Sequence, residues 1–374
     1  MDYDKISHVS SWLFTTDEIR ELRAKANREA RIFIQGQALP SISDNSSTST
    51  STPKPRSFAK IHDISTSMDT NDINTTSESA MITPEEETEL TNFYCSQLLN
   101  LIGPSATIHR LKRDIKVAST ASLLLKRFYL SNSVICFDPK AIMVAAAFLA
   151  AKAEDATCDI RYLEEGTKQL GAHVQIDEIL RAEIDLIAGV DYDLWCLHPY
   201  KVVLAITEDL RGFLKSKEGI HCVNRQVSGE DLRPIYDLAR EIVEKLVFES
   251  DIMLLKSPGK VGLAAMILSN ERLSKEGKEN SGEDGDVVID FKKYLSFRFA
   301  DKNKSDIDVL WAEINLLVDF ARDASLPKEV DLARLKAIHK KLKKIRTWGK
   351  DEEDKKKKKK KKRKVDHVET EEGK

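Results

Sequence analysis

Through most of the chain, apolar residues recur every three or four positions, the spacing that places side chains on one face of an α-helix. This pattern first predicts a helix over residues 12–35, in which Ile19, Leu22 and Ala26 form an apolar stripe. From Thr83 onward it predicts a nearly continuous series of helices, at about 83–102, 108–130, 138–155, 160–170, 175–190, 199–214, 231–250, 257–270, 287–298, 305–323 and 327–346. The sequence therefore predicts an all-α fold.

Two of these helices begin with a capping residue and a proline and continue with small apolar residues. The first follows Asp138-Pro139 and is apolar on every side, which predicts the central buried helix of its domain. The second follows Ser257-Pro258, and each of the two comes after a long amphipathic helix. This recurrence in the order of elements predicts a duplicated helical unit.

Polar segments divide the chain. Residues 37–80 are rich in Ser and Thr and poor in large apolar residues, so burial cannot offset the entropy of ordering them. A polar loop is predicted at 272–286. The sequence therefore predicts an N-terminal helix at 1–36, a disordered insertion at 37–80 and two helical domains at 81–196 and 197–325. A C-terminal helix at 326–348 and a disordered basic and acidic tail at 349–374 follow.

Composition excludes several classes of protein. Only 15 glycines and 10 prolines occur in 374 residues, which disfavours a turn-rich β fold. The longest apolar run, Ala141 to Ala151, is shorter than the roughly 20 residues that cross a bilayer, and the first residues do not resemble a secretory signal. The 5 cysteines form no CxxC pair, which indicates reduced thiols and predicts neither a zinc site nor any other metal site.

Charge is distributed unevenly along the chain. Residues 355–364 are ten consecutive cations that end in KKRK, and Lys355, Lys362, Arg363 and Lys364 typify a nuclear localisation signal, although a merely solvated basic tail remains the alternative. Removing these ten charges from the formal total of −2 leaves −12 for the remainder. An acidic body of this kind is expected to repel nucleic acid, so no specific nucleic-acid partner is predicted.

Two stretches, SLLLKRFYLSNSVICFDPKAIMVAAAFLAAKAED at 122–155 and DEILRAEIDLIAGVDYDLWCLHPY at 177–200, resemble the cyclin box. The resemblance extends to residues 12–31, an additional N-terminal helix typical of the cyclin H branch, and to SPGKVGLAAMILS at 257–269. It implies two tandem five-helix cyclin-box domains, at 81–196 and 197–325, with extra N- and C-terminal helices.

The resemblance also implies a function. Cyclins are regulatory subunits without catalytic groups or cofactors, and each binds and activates a cyclin-dependent kinase. For the cyclin H branch this is the CDK-activating kinase, which is also the kinase of the transcription factor TFIIH that modifies the C-terminal domain of RNA polymerase II. A RING-finger assembly factor, the TFIIH core and a nuclear location are the further expectations, with roles in transcription initiation and the cell cycle.

Lys152, at the end of the apolar helix, needs a carboxylate or carbonyl partner, and Glu154, Asp155 and Glu183 are the candidates. From the residues alone, the favoured interpretation is that Lys152 and Glu183 are two partly exposed charges on solvated helix faces, and the resemblance reverses it. The cyclin resemblance implies that they pair and bind the kinase backbone just ahead of its αC helix. By the same resemblance, apolar contacts around the pair come from Ala153, Tyr192 and Leu194.

Other functions fit the sequence less well, and one cyclin motif is absent from it. A scaffold of the transcription-factor-B type shares the two-repeat architecture, but its expected basic face and zinc ribbon have no counterpart here. The region ETELTNFYCSQLL lacks the Met-Arg-Ala-Ile-Leu motif with which many cell-cycle cyclins capture substrates. Cys196 with His198, and His221 with Cys222, lack the spacing of metal ligands or a nucleophile, so they are predicted to be packing or loop residues and no active site is expected.

Overall fold

The computed structural model describes residues 6–34, 81–280, 287–300, 303–326 and 331–345. These residues form helices throughout, as predicted, and their only β pairing is an isolated bridge between Val223 and Ile289. In chain order the α-helices α1 to α13 are Ser7–Ser11, Thr16–Ile34, Pro84–Leu101, Ile115–Ser131, Pro139–Ala153, Ile160–Gln169, Ile176–Gly189, Pro199–Phe213, Leu232–Glu249, Ile252–Leu255, Pro258–Asn280, Phe291–Arg298 and Lys304–Ala324. Residues 332–345 form α14, and two short 3-10 helices lie at His109–Leu111 and Gly219–Cys222.

The all-α prediction with two tandem sets of five helices is confirmed. The first set is α3 to α7, and the second is α8, α9, α11, α12 and α13, with the one-turn helix α10 between two of its members. Helices α1 and α2 precede these sets, and α14 follows them. The exact domain boundaries given above remain a prediction.

The described residues divide into two compact units. The first comprises 6–16, 92–127, 140–280, 287–300 and 303–326, and the second comprises 17–34, 81–91, 128–139 and 331–345. The candidate site lies wholly within the first unit. The second unit contains a capping box at the start of α3, where the Glu86 carboxylate accepts the Thr83 N–H at 2.9 Å and the Thr83 hydroxyl accepts the Glu86 N–H at 3.3 Å.

The predicted central helix is correct in both extent and burial. Helix α5 begins at Pro139, and its apolar residues from Ile142 to Ala147 are buried without interruption. In the second set of helices, α8, α9, α11 and α13 pack against one another. Gly262 lets α11 approach α8 closely, since a Cβ atom there would lie 2.8 Å from Cβ of Val202.

Two predicted boundaries differ from the structure by several residues, and one short helix was not predicted. Helix α4 begins at Ile115 rather than near 108, because the Asp114 carboxylate accepts the Lys116 N–H at 2.8 Å and caps the helix there. Helix α11 continues to Asn280, through a segment predicted as loop. Glu271 and Arg272 extend it by binding Arg322 at 2.8 Å and the Ser325 hydroxyl at 2.6 Å. The short helix α1 was not predicted.

No helix among the described ranges is long and apolar enough to cross a bilayer. The predicted insertion at 37–80 and the predicted tail at 349–374 lie outside the described residues.

Candidate functional site

Lys152 and Glu183 form an ion pair. Lys152 lies in the last turn of α5 and Glu183 in the middle of α7, and the Lys152 Nζ is 2.5 Å from Oε1 of Glu183. The Glu183 side chain is 11% exposed and that of Lys152 is 43% exposed. The structure therefore brings together two residues that are 31 positions apart in the chain and pairs a buried carboxylate with a half-exposed ammonium.

Phe148 lies one helical turn before Lys152 and supports its side chain. The Lys152 Nζ lies 4.0 Å from the centroid of the Phe148 ring, a cation–π geometry. The ring thereby limits the directions in which the ammonium can turn, and the pair has a defined geometry at the surface.

Glu154, one of the three candidate partners of Lys152, is engaged elsewhere. Its carboxylate accepts a 2.6 Å hydrogen bond from Thr120 and binds the ammonium of Lys116, with His198 3.7 Å away. Burial by itself raises the pKa of Glu154, but the bonds from His198, Lys116 and Thr120 outweigh it and lower that pKa to about 2. Glu154 is therefore ionised and already neutralised, and the carboxylate that the structure pairs with Lys152 is that of Glu183.

The Oε1 atom of Glu183 is buried, and no described residue gives it a hydrogen bond of normal geometry. The Lys152 ammonium lies 2.5 Å from this oxygen as its charge partner. A carboxylate oxygen has two acceptor sites, so this oxygen can accept a further N–H beside the ammonium.

Exposed apolar side chains lie close to the pair in sequence. On α7 these are Leu180 and Ile184, the latter 70% exposed, and they lie one turn apart on either side of Glu183. After α7, Tyr192 is 76% exposed and Trp195 is 51% exposed, while Leu194 is half-buried. Ala153, next to Lys152, is exposed.

Three of these apolar residues were missed by sequence analysis: Leu180, Ile184 and Trp195. The signal was present for the first two, since both are apolar yet lie off the buried stripe of Ile179, Ala182 and Leu186. An apolar residue on the face that a helix turns to water indicates a partner surface when several occur together.

The pair Cys196 and His198 has the packing role predicted for it. His198 is buried between the hydroxyls of Ser119 and Thr120, each 2.8 Å from one of its ring nitrogens, and burial lowers its pKa. Burial raises the pKa of Cys196 to about 11, so its thiol is protonated and a poor nucleophile. Among the described residues, no group of three or more His, Cys, Asp and Glu side chains gathers in a way that could hold a metal ion.

The four residues assigned to nuclear localisation, Lys355, Lys362, Arg363 and Lys364, lie outside the described residues.

Several known proteins that this chain resembles in sequence are cyclins. No family model matches the chain. It is 23% identical over 290 residues to cyclin CCL1 of Saccharomyces cerevisiae and 28% identical over 266 residues to cyclin mcs2 of Schizosaccharomyces pombe, alignments that cover 75% and 71% of this chain. They span about two thirds of the relatives' lengths, 63% and 68%. Cyclin-H1-1 of Arabidopsis thaliana is 23% identical over 350 residues, which cover 91% of this chain and 88% of that protein.

A chain in the solved structure of the CAK complex from Chaetomium thermophilum bound to ATP-gamma-S has the same fold. It superposes with a TM-score of 0.62 at 22% identity, over 92% of this chain and 88% of that one. The order of the helices, the two five-helix sets and these similarities agree: the chain shares the fold of that chain and is similar in sequence to cyclins, among them cyclin H members.

Proposed function

We propose that the chain is the regulatory subunit of a cyclin-dependent kinase of the CDK-activating type, the kinase that serves TFIIH. The observation that carries the proposal is the ion pair of Lys152 and Glu183, with its buried carboxylate and its exposed apolar neighbours. Nothing in this role requires a catalytic group on the chain.

The pair supplies polar recognition of a protein backbone. The Lys152 ammonium can donate to a backbone carbonyl, and Oε1 of Glu183 can accept a backbone N–H. Both groups are held by the protein before the partner arrives, so little entropy is lost on binding. Backbone recognition of this kind suits the segment ahead of a kinase αC helix.

The apolar residues supply the second part of the interface. Leu180, Ile184 and Tyr192 can cover the pair once a partner is bound, and exclusion of water strengthens the interactions of its charges. Interfaces commonly derive most of their affinity from such a buried centre, in which aromatic residues are enriched.

Activation follows from a difference in affinity. A kinase needs the glutamate of αC paired with the lysine of strand β3, which positions the ATP phosphates. A subunit that binds only the conformation with αC turned in shifts the equilibrium toward that conformation, and moving it from 1:99 to 99:1 requires about 5.5 kcal/mol of differential affinity. A rigid helical platform is suited to this task.

The test is reconstitution with the CDK-activating kinase subunit of the same organism and an assay of phosphate transfer to a peptide from the C-terminal domain of RNA polymerase II. We expect phosphorylation only in the presence of the cyclin. Lys152→Ala or Glu183→Ala should weaken kinase binding by roughly 2–5 kcal/mol, the cost of removing one member of a desolvated charged pair.

The matched control is Lys168→Ala, which breaks the exposed pair of Lys168 and Glu164 at 3.3 Å on α6. This change should alter kinase binding by less than about 0.5 kcal/mol. A kinase that stays inactive with the wild-type chain contradicts the proposal. Equal, small effects of all three substitutions would place the contact surface elsewhere.

The proposal includes a RING-finger assembly factor and the TFIIH core as further partners, and action in the nucleus. Purification of the tagged chain from nuclear extract should recover a kinase together with these proteins.

Deletion of residues 355–364 should reduce nuclear accumulation in cells in which kinase binding has been weakened by Lys152→Ala. Unchanged accumulation would contradict the import role of these residues.

A further inference from the structure

The carboxylate of Asp193 connects the N-terminal segment to the loop that follows α7. Its Oδ1 accepts the hydroxyl of Ser7 at 2.9 Å, and its Oδ2 accepts the indole N–H of Trp12 at 2.8 Å. Oδ1 also accepts the backbone N–H of Trp195 at 3.2 Å. One side chain therefore binds two residues of the amino terminus and the loop in which it lies.

This loop has an unusual backbone. Asp191 and Tyr192 are consecutive non-glycine residues with φ values of 52° and 60°, in the left-handed region that side chains disfavour. The turn directs the ring of Tyr192 into solvent, with Trp195 exposed nearby in the chain. Such a conformation persists only where surrounding contacts determine it.

A buried arginine supports the same loop from beneath. The Arg127 guanidinium donates to the carbonyl oxygens of Asp193 at 3.3 Å and Trp195 at 3.1 Å. It also lies 4.7 Å from the centroid of the Trp12 ring. Trp12, Asp193 and Arg127 thus form a closed set of contacts in which each member touches the other two.

His8 attaches the N-terminal segment at a second point. Its Nδ1 accepts the backbone N–H of Leu197 at 2.9 Å, so its Nε2 carries the proton and donates to the Met253 carbonyl at 3.3 Å. The segment 7–12 is therefore fixed both to the chain just after the loop and to α10.

We propose that residues 7–12, an amino-terminal strap, hold the 191–195 loop in its partner-facing conformation, with Asp193 as the positioning residue. The strap then controls kinase affinity by preorganising Tyr192 and Leu194. This inference rests on the proposed function, because the loop is one of the surfaces assigned to the kinase.

The first test uses the free full-length chain and measures backbone hydrogen exchange of the peptide covering 190–197. Trp12→Phe removes the indole donor while retaining an aromatic ring, Ser7→Ala removes the hydroxyl donor, and Asp193→Asn removes the charge. We expect exchange at least about tenfold faster in each variant, since the loop opens more often. Trp311→Phe on α13 and Ser10→Ala, whose hydroxyl bonds to Ile6 within the same turn, should leave this peptide unchanged.

The second test measures kinase affinity in double mutants. If Asp193 acts through Tyr192, the combined loss for Asp193→Asn with Tyr192→Ala falls short of the product of the single losses by at least about threefold. The losses for Asp193→Asn with Lys152→Ala should simply multiply. General destabilisation would not distinguish the two pairs, so this comparison separates positioning from a merely structural role.

The outcomes are distinguishable. If the wild-type chain binds the kinase but exchange is unchanged in Ser7→Ala and Trp12→Phe, the strap inference alone is overturned. Faster exchange with multiplicative losses in both double mutants overturns it as well, since the loop would then move without consequence for the kinase. If the wild-type chain binds no kinase, the proposed function falls together with the inference that rests on it.

Discussion

The ammonium group of Lys126 donates a hydrogen bond to the carbonyl oxygen of Val247 at 2.7 Å, in the core of the first compact unit. It also bonds to the Ser250 carbonyl. Lys126 is fully buried on α4, and Val247 is in the last turn of α9, where backbone carbonyls lack partners within the helix. A buried cation thus caps the end of a helix from outside, which the negative end of the helix dipole favours.

We expect Lys126→Met to lower the free energy of unfolding by about 1–3 kcal/mol, because it removes the charged donor of one buried and one partly buried carbonyl group. Chemical denaturation of the free chain measures this change. Lys201→Met on the exposed side of α8 is the control and should change the unfolding free energy by no more than about 0.5 kcal/mol. Equal stability of the two variants would mean that water replaces the ammonium without loss.

Gly262 and Gly259 provide a matched pair on α11. A Cβ atom at position 262 would lie 2.8 Å from Cβ of Val202, whereas a Cβ atom at 259 meets nothing within 4 Å. Gly262→Ala should therefore cost about 1–3 kcal/mol through overpacking, and Gly259→Ala should be neutral or stabilising. In a Val202→Gly background, which lacks that Cβ atom, Gly262→Ala should cost less; an equal cost in both backgrounds would contradict the proposed clash. Thermal or chemical unfolding measures all three.

The raised pKa of Glu87 predicts that its contribution to stability falls as pH rises. It is buried in the second compact unit, where Asn27 and Ser133 donate to its Oε1 at 2.7 and 2.5 Å. Burial raises the pKa of Glu87 to about 7, from an ordinary value of 4.5. Between these two values the folded chain holds a proton that the unfolded chain has released, so the contribution of Glu87 to stability falls as pH rises.

Glu87→Gln keeps a hydrogen-bonding side chain and removes the titration. The free energy of unfolding of wild type minus that of Glu87→Gln should therefore decline from pH 4.5 to 7 by more than about 1 kcal/mol, the scale of one pKa unit. Denaturant titrations at pH 4.5, 6 and 7.5 test this slope. A flat difference would mean that the carboxylate is ionised in the folded chain throughout this range.

The lowered pKa of His8, in the first compact unit, predicts the opposite pH dependence, in which stability falls as pH falls. Burial, followed by the charge of Arg127, lowers the pKa of His8 to about 3 from 6.5. Between these values the unfolded chain binds a proton that the folded chain excludes, so the contribution of His8 to stability is lost as pH falls from about 6.5 toward 3. His8→Gln should remove this acid sensitivity in unfolding measurements at pH 7, 6 and 5, and a wild-type slope that persists in the variant would contradict the assignment.

Much of the helical structure was predictable because its signals are local. Asp138-Pro139 and Ser257-Pro258 mark the starts of α5 and α11 by chemistry within a few residues, and the structure confirms both starts. The start of α4 was misplaced although its capping residue, Asp114, is local, whereas the end of α11 was decided by a distant contact. Helix α11 extends beyond its predicted end because residues on α13 and just after it bind Glu271 and Arg272, which no nearby residue signals.

The sequence by itself determined the helical class, the two recurring helix sets and the positions of Lys152 and Glu183 on their helices, since periodicity and capping depend on neighbours in the chain. Only the tertiary structure decided that Lys152 pairs with Glu183 and not with Glu154, whose carboxylate binds Lys116 and Thr120 instead. It also decided that Asp193 binds residues about 180 positions away in the chain. A charged side chain pairs with the opposite charge that lies nearest once the helices have packed. The distance between two residues in the folded chain cannot be read from their separation in the sequence.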